Sequence, residues 1–444
     1  MLKKIFIYVV LLPLSVCAQH TIKGNISPNI GYKNAILYKI SPTQLSYITH
    51  TPIDKEGSFN MELDSTISGG MYKLVYAVPE EEYNFDIIYN AKEDVEFAYN
   101  SELGISYKKS KENKLIEAYT SRMSLVGQEL GRHLAEKSTD SLALLSIFSK
   151  QKLVQSQFEN DAKGTIALHF IKANKPYIPE DFEDYNTYVK NLQIHFFDNV
   201  DFNDEVLQSS NFLIERTLNY VFGITSEDKT EIQNYIANIN EVNKVLKVAK
   251  PVIKQRILEV VWQQMADAGY DAVANHIADT YLISIAEQLN NSDLLNRMAL
   301  FKSLSIGSKA PDFTLRIKQG EAFVSKQLSE VDLAENYIVL FWSSTCSHCL
   351  EEIPQLRSYI KKLPKGKIKV IAIGLEDTNE NWKKDAIKYP EFLHVLGLNK
   401  WDNKTAKAYN VTATPSYFVL DKDKKIISKP YDFEALEEFL DEIQ

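Results

Sequence analysis

Residues 341–354 read FWSSTCSHCLEEIP, and this segment decides the fold of the C-terminal part of the chain. It follows directly on the apolar run 337–342, which predicts a buried β-strand. Residues 347–362 predict a helix. Cys346 and Cys349 are therefore expected at the first turn of a helix that follows a buried strand.

This position favours thiol–disulfide exchange by the two cysteines. The unpaired N–H groups and the dipole of a helix N-terminus favour negative charge, and a thiolate is the reactive form of cysteine. Cys349, one turn after Cys346, is placed to resolve a mixed disulfide formed by Cys346. The alternative is half of a zinc site, which needs two more ligands, and only His394 lies further along this domain. We interpret the pair as redox-active, with no metal and no cofactor beyond its own disulfide.

His348 stands between the two cysteines and is expected to tune their reduction potential. An imidazole, especially when protonated, favours a thiolate beside it and so stabilises the reduced form of the pair. The alternative is an exposed polar side chain without influence on the chemistry.

The segment resembles the active-site run of thioredoxin-like proteins of the TlpA/ResA group. Trp342 stands four residues before the first cysteine, where thioredoxins carry a tryptophan, and Pro354 matches the proline of their active-site helix. Thr414-Pro415 resembles the cis-proline of the family, and residues 307–315 resemble its entry segment. The resemblance covers residues 303–444 and implies a thioredoxin fold.

The resemblance also implies a substrate surface formed by Trp342, Thr414 and Pro415. A cis-proline would turn the backbone of Thr414 toward the cysteines. An extended partner segment could then pair with that backbone as an added strand.

Glu352, three residues after Cys349, matches a glutamate of ResA-like proteins. We expect it to move a proton to or from Cys349 during exchange. The alternative is a solvated helix-face glutamate like Glu351. The chain departs from thioredoxins at Leu340, where they keep a buried aspartate, and at Thr345, where they have tryptophan.

The residues before this domain change their periodicity twice. Alternating runs such as Phe59, Met61 and Leu63 predict a β-sandwich-like domain over residues 19–105. Helical spacing predicts a bundle of six or seven helices over 106–302, with one start at Ser226. The fold class is therefore multidomain α+β, with an N-terminal antiparallel β domain, a central helical bundle and a C-terminal α/β thioredoxin fold.

The first eighteen residues are typical of an export signal. Lys3 and Lys4 precede a short apolar stretch, and the small residues Val16 and Ala18 predict cleavage after residue 18. Lipidation at Cys17 is the alternative, and without it no membrane attachment is expected. Of the three cysteines, cleavage would leave the two of the redox pair. The predicted location is the periplasm or cell envelope.

These observations predict an exported thiol–disulfide oxidoreductase that acts on protein thiols and disulfides, more often as a reductant. Such a reductase would take electrons from a membrane-embedded donor. The net charge of −9 without a basic block gives no sign of nucleic-acid binding. A thiol peroxidase would need Pro and Thr where Val339 and Ser343 stand. The remaining alternative is a ligand- or partner-binding protein with an accessory redoxin domain.

Overall fold

The structure, a computed structural model, describes residues 20–42, 44–80, 82–136 and 140–443. The chain divides into two compact units, one ending at Val260 and the other beginning at Val261. The predicted export signal, with Cys17, lies outside the described residues. In the ranges given above, no helix combines the length and the apolar character needed to cross a membrane.

The first unit opens with a β-sandwich, as the alternating pattern predicts. Its strands are β1 His20–Ser27, β2 Asn34–Ser41, β3 Gln44–Pro52, β4 Ser58–Leu63, β5 Gly70–Val75, β6 Asn84–Tyr89, β7 Val95–Asn100 and β8 Gly104–Lys109. They form two sheets of order β4-β1-β7-β8 and β3-β2-β5-β6, and both contribute to one buried core. Most pairs are antiparallel, whereas β1 and β7 run parallel.

A helical region follows the sandwich. Its first eight helices are α1 Lys111–Ala135, α2 Ser141–Asp161, α3 Ala167–Ala173, α4 Tyr185–Ile194, α5 Glu205–Gln208, α6 Phe212–Gly223, α7 Glu231–Val245 and α8 Pro251–Asp267, and the division between the two units falls within α8. The predicted start at Ser226 is wrong, because α7 begins at Glu231. Thr230 caps it in a capping box with Gln233, which satisfies the first free N–H groups.

Three more helices follow in the second unit: α9 Asp271–Ile277, α10 Ile283–Gln288 and α11 Ser292–Ser303. The described part of 106–302 thus holds more helices than the six or seven predicted. Several of them, such as α3 and α5, are too short for a helical period to show in the sequence.

The rest of the second unit is the α/β domain. Its elements are β9 Thr314–Gln319, β10 Ala322–Gln327, β11 Asn336–Trp342, α12 Ser347–Ile360, β12 Ile368–Glu376, α13 Glu380–Ala386, β13 Leu393–Leu398, α14 Lys404–Ala408, β14 Ser416–Leu420, β15 Ile426–Ser428 and α15 Phe433–Glu442. The central sheet has the order β13-β12-β11-β14-β15. β11 runs parallel to β12 and antiparallel to β14. The hairpin β9–β10, which the sequence analysis did not predict, forms a separate two-stranded sheet.

The central strand β11 is buried from Tyr337 to Trp342, and these residues are apolar or aromatic because both faces of the strand are covered. Tyr337, Val339 and Phe341 pack into the core on one face of the sheet. Leu340 and Trp342 pack into the core on the other face, together with Cys349. The chain leaves this strand at its carboxyl end, where open α/β sheets bind their ligands.

Asp271 joins the start of α9 to the α/β domain within the second unit. Its buried carboxylate accepts the Ile306 N–H at 2.8 Å and pairs with Lys429 Nζ at 2.8 Å. Asn275 also donates to the Ser305 hydroxyl at 2.9 Å. The compact unit that contains the thioredoxin fold therefore includes helices assigned by sequence to the helical region, and the domain boundary at 302/303 stays a prediction.

Candidate active site

The two cysteines lie at the N-terminus of α12 and are both free thiols. Cys346 is the N-cap of the helix, and its Sγ accepts the N–H of Cys349 at 3.2 Å. Its thiol donates to the Thr414 carbonyl oxygen at 3.2 Å. Cys346 is partly exposed, whereas Cys349 is 0% exposed. An outside molecule can therefore reach the first sulfur but not the second.

Burial also separates the chemistry of the second thiol from that of the first. Removal from water, followed by the hydrogen bond with Cys346, raises the pKa of the Cys349 thiol to about 12. An uncharged thiol is favoured in an apolar core because the thiolate loses its hydration there. Cys349 needs a proton acceptor before it can act as a nucleophile.

Thr414 and Pro415 lie beside Cys346, as the resemblance implies. The peptide bond between them is cis, and both residues are half-buried. The Thr414 carbonyl is the group that accepts from Cys346. The binding of a partner segment by this backbone stays a prediction.

Trp342 does not lie on the surface that was expected to bind substrate. Its side chain is 1% exposed and packs in the core cluster that contains Cys349. A side chain enclosed in the core cannot touch a partner protein, which corrects that expectation. Trp342 instead supports the buried cysteine from within the domain.

Glu352 joins three elements around the site. Its Oε2 accepts the Tyr417 hydroxyl at 2.8 Å and the Phe433 N–H, at the start of α15, at 2.9 Å. Burial, then Glu352 and then the Cys349 charge raise the pKa of Tyr417 above its ordinary value. Within the described ranges Glu352 makes no hydrogen bond to either cysteine. It differs from a solvated glutamate such as Glu351, because two donors hold it.

His348 is exposed at the first turn of α12. In the part of the chain that the structure describes, its side chain makes no hydrogen bond or ion pair. Its influence on the reduction potential stays a prediction.

Glu376 is a polar residue near the site that was not predicted from the sequence. It is 4% exposed, and its Oε1 accepts the N–H of Ser344 at 2.6 Å, two residues before Cys346. The sequence carries a sign of this position, because a carboxylate at the end of an apolar run is unusual. Glu376 is the last residue of β12, the neighbour of the strand that leads to the cysteines.

The described residues contain no group of three or more His, Cys, Asp or Glu side chains arranged to hold a metal ion. His394, the candidate extra ligand for zinc, donates through Nε2 to the Tyr389 carbonyl at 2.8 Å. An accessible and a buried thiol, one turn apart after the central strand of a mixed sheet, place this domain in the thioredoxin class.

Comparison with known proteins gives the same class. Residues 306–429 match the AhpC/TSA family. Thiol-disulfide oxidoreductase ResA of Bacillus cereus is 26% identical over 128 residues, which are 29% of this chain and 70% of that protein. Sporulation thiol-disulfide oxidoreductase A of Bacillus subtilis is 24% identical over 135 residues, 29% of this chain and 78% of that protein.

Solved structures are similar as well. The thioredoxin domain of a thiol-disulfide oxidoreductase from Bacteroides vulgatus is 27% identical and has a TM-score of 0.27, with 32% of this chain and 99% of that chain covered. A thioredoxin-like protein from Bacteroides caccae is 19% identical with a TM-score of 0.35, covering 61% of this chain and 98% of that one.

The family match and the curated relatives agree with the resemblance carried by the active-site segment. The C-terminal domain of this chain belongs to the thioredoxin-like redoxins of the TlpA/ResA group, and the chain is a thiol–disulfide oxidoreductase.

Proposed function

We propose that the chain is an exported reductase of protein disulfides, with Cys346 and Cys349 as its redox pair. The observation that carries this proposal is the difference in solvent exposure between the two thiols. The sulfur of Cys346 is accessible at a helix N-terminus, and Cys349 is 0% exposed one turn behind it.

In the first step, the Cys346 thiolate attacks one sulfur of a partner disulfide. A mixed disulfide forms, and the other partner sulfur leaves as a thiolate and takes up a proton. The backbone of Thr414, which contacts Cys346, is the proposed edge with which an extended partner segment pairs.

In the second step, Cys349 loses its proton and attacks the Cys346 sulfur. The Cys346–Cys349 disulfide forms, the second partner thiolate leaves, and two electrons have passed to the partner. The raised pKa of Cys349 makes a proton acceptor necessary. We assign this role to Glu352, one turn further along α12 and in contact with Tyr417, whose own pKa is raised in part by the Cys349 charge.

The oxidised pair must then be reduced by an external dithiol, for which we propose a membrane-embedded donor. The support for export is the signal-like segment 1–18, with Lys3 and Lys4 before an apolar stretch. The proposed location is the periplasm or cell envelope.

The reduction potential of the pair tests the proposal, measured by equilibration of the full chain with glutathione. We expect a value near that of thioredoxin, about −270 mV, or lower. A value near −120 mV would instead mark an oxidant and make His348 the next residue to mutate. C346S is the control that must not cycle. A wild-type chain that cannot be cycled would contradict enzymatic exchange and favour a binding protein with an accessory redoxin domain.

A further inference from the structure

We infer that Glu376 is a positioning residue of the redox site: it anchors the segment 343–346 that leads into Cys346, and its charge sets the balance between dithiol and disulfide. This inference rests on the proposed function of the cysteine pair. Glu376 lies outside the active-site segment in sequence, on the neighbouring strand β12.

The register of the central sheet explains why a side chain is needed there. The parallel ladder between β11 and β12 ends at the pair Trp342–Gly374. Two residues after this pair, Ser344 has left the ladder and Glu376 is the last residue of β12. The carboxylate of Glu376 then takes the Ser344 N–H at 2.6 Å, in place of the strand partner that Ser344 lacks. Glu376 thereby connects the end of β12 to the segment that follows β11, beyond the last pair of the ladder.

The other backbone hydrogen bonds of this segment stay within it or join it to the first turn of α12, where the Leu350 N–H donates to the Cys346 carbonyl at 3.2 Å. The Thr345 N–H donates to the Ser343 hydroxyl at 3.3 Å, and the Cys346 N–H donates to the Ser343 carbonyl at 3.2 Å. These bonds shape the turn but do not fix it to the sheet. The hydrogen bond to Glu376 fixes the turn to β12, and it therefore controls where the Cys346 sulfur lies relative to the Thr414 carbonyl.

The burial of Glu376 is costly, which argues for a role beyond solubility. A charged group removed from water destabilises a fold unless it is paired or hydrogen-bonded. Lys400 supplies part of the compensation: its pKa is raised mainly by its bond to Asp377, and Glu376 adds to the effect. The short distance to Ser344 is typical of a hydrogen bond to a charged acceptor.

A fixed negative charge near the turn opposes negative charge on the Cys346 sulfur. It therefore disfavours the reduced pair and makes the dithiol a stronger reductant. Glu376 would act in this way without touching the partner protein or the reacting sulfur.

Two substitutions in the full chain separate the anchor from the charge. E376Q keeps an oxygen that accepts the Ser344 N–H but removes the charge, whereas E376A removes both. We expect E376A to slow exchange with a disulfide peptide by about tenfold or more, because the sulfur is misplaced. E376Q should exchange at close to the wild-type rate, while its equilibrium with glutathione moves about threefold toward the dithiol. E351Q, which removes an exposed carboxylate from α12, is the matched control and should change neither quantity.

Hydrogen exchange of the Ser344 amide supplies a readout that does not depend on activity: protection should be lost in E376A and kept in E376Q. A wild-type rate together with a protected amide in E376A would overturn the anchor. An unchanged equilibrium constant in E376Q would overturn the effect of the charge. If E376A does not fold, this measurement on E376Q still tests the inference. If the wild-type chain exchanges no disulfides, the proposed function fails, while protection of Ser344 still tests the anchor.

Discussion

At the scale of single residues, the site depends on the different surroundings of two identical side chains. Cys346 lies at the helix N-terminus with its sulfur between the Cys349 N–H and the Thr414 carbonyl. Cys349 lies in a core with Trp342 and the apolar side chains of β11. This difference in exposure is the basis for assigning, in the proposed exchange, attack on the partner to Cys346 and its release to Cys349.

Replacing the buried cysteine should trap the partner. In C349S the mixed disulfide on Cys346 forms but cannot be resolved, because a serine hydroxyl is not a nucleophile for disulfides at neutral pH. We expect covalent adducts of the variant on non-reducing gels of cells that express it, and their loss on reduction. C346S is the matched control and should form none. An equal yield of adducts from both variants would contradict the assignment of the two roles.

The buried thiol should also make the reduced protein sensitive to alkaline pH. Cys349 has a folded pKa of about 12 against an ordinary value of 9.0, so above pH 9 the unfolded chain loses its proton first. Stability is thus lost as pH rises through this window, by up to about 1.4 kcal/mol per pH unit. Chemical denaturation of the reduced chain should show this slope relative to C349A, which lacks the buried thiol and keeps every tyrosine. Equal slopes in the two proteins would mean that Cys349 ionises as readily folded as unfolded.

At the scale of elements, Glu352 connects the active-site helix α12 with β14 and α15. Its Oε2 receives the hydroxyl of buried Tyr417 and the first N–H of α15. Loss of this acceptor removes the partner of both donors, and both Tyr417 and Phe433 are buried residues. The carboxylate proposed for proton transfer is thus also part of the scaffold.

We expect E352A to lower the free energy of unfolding by about 1–3 kcal/mol, the cost of leaving a buried donor unsatisfied. E351A is the matched control, because the neighbouring glutamate is exposed, and should change stability by less than about 0.5 kcal/mol. Urea denaturation at pH 7 measures both. Equal effects of the two substitutions would show that the contacts of Glu352 do not contribute to the fold.

The sequence predicts these elements well where the signal is local. The strand that ends at Trp342, the helix that begins at Ser347 and the neighbourhood of Thr414-Pro415 with Cys346 all agree with the structure. Contacts between distant segments could not be predicted from local patterns. Glu376 and Ser344 are 32 residues apart in sequence, and Glu352 and Tyr417 are 65 apart. Trp342 was placed on the substrate surface by the resemblance alone, although the apolar run 337–342 predicts a buried strand, and the structure agrees with the buried strand.

At the scale of the whole molecule, the chain contains two compact units, and all four tryptophans belong to the second: Trp262, Trp342, Trp382 and Trp401. Tryptophan fluorescence therefore reports mainly the unfolding of that unit. The unit includes α9, whose Asp271 contacts both the entry to the α/β domain and Lys429 near its end. The stability of the redox domain should thus depend on a residue far from it in sequence.

D271A tests this dependence in the full chain. The substitution leaves the Ile306 N–H without its acceptor and Lys429, which is only 27% exposed, without its partner. We expect the tryptophan-monitored free energy of unfolding to fall by about 2–3 kcal/mol, less than for a fully buried pair because water reaches Lys429. E335A is the control: it breaks the exposed pair of Glu335 with Lys367 in the same unit and should cost less than about 1 kcal/mol. If D271A unfolds like E335A, α9 does not support the redox domain. If it is selectively destabilised, the thioredoxin fold of this chain needs residues before 303 for its full stability.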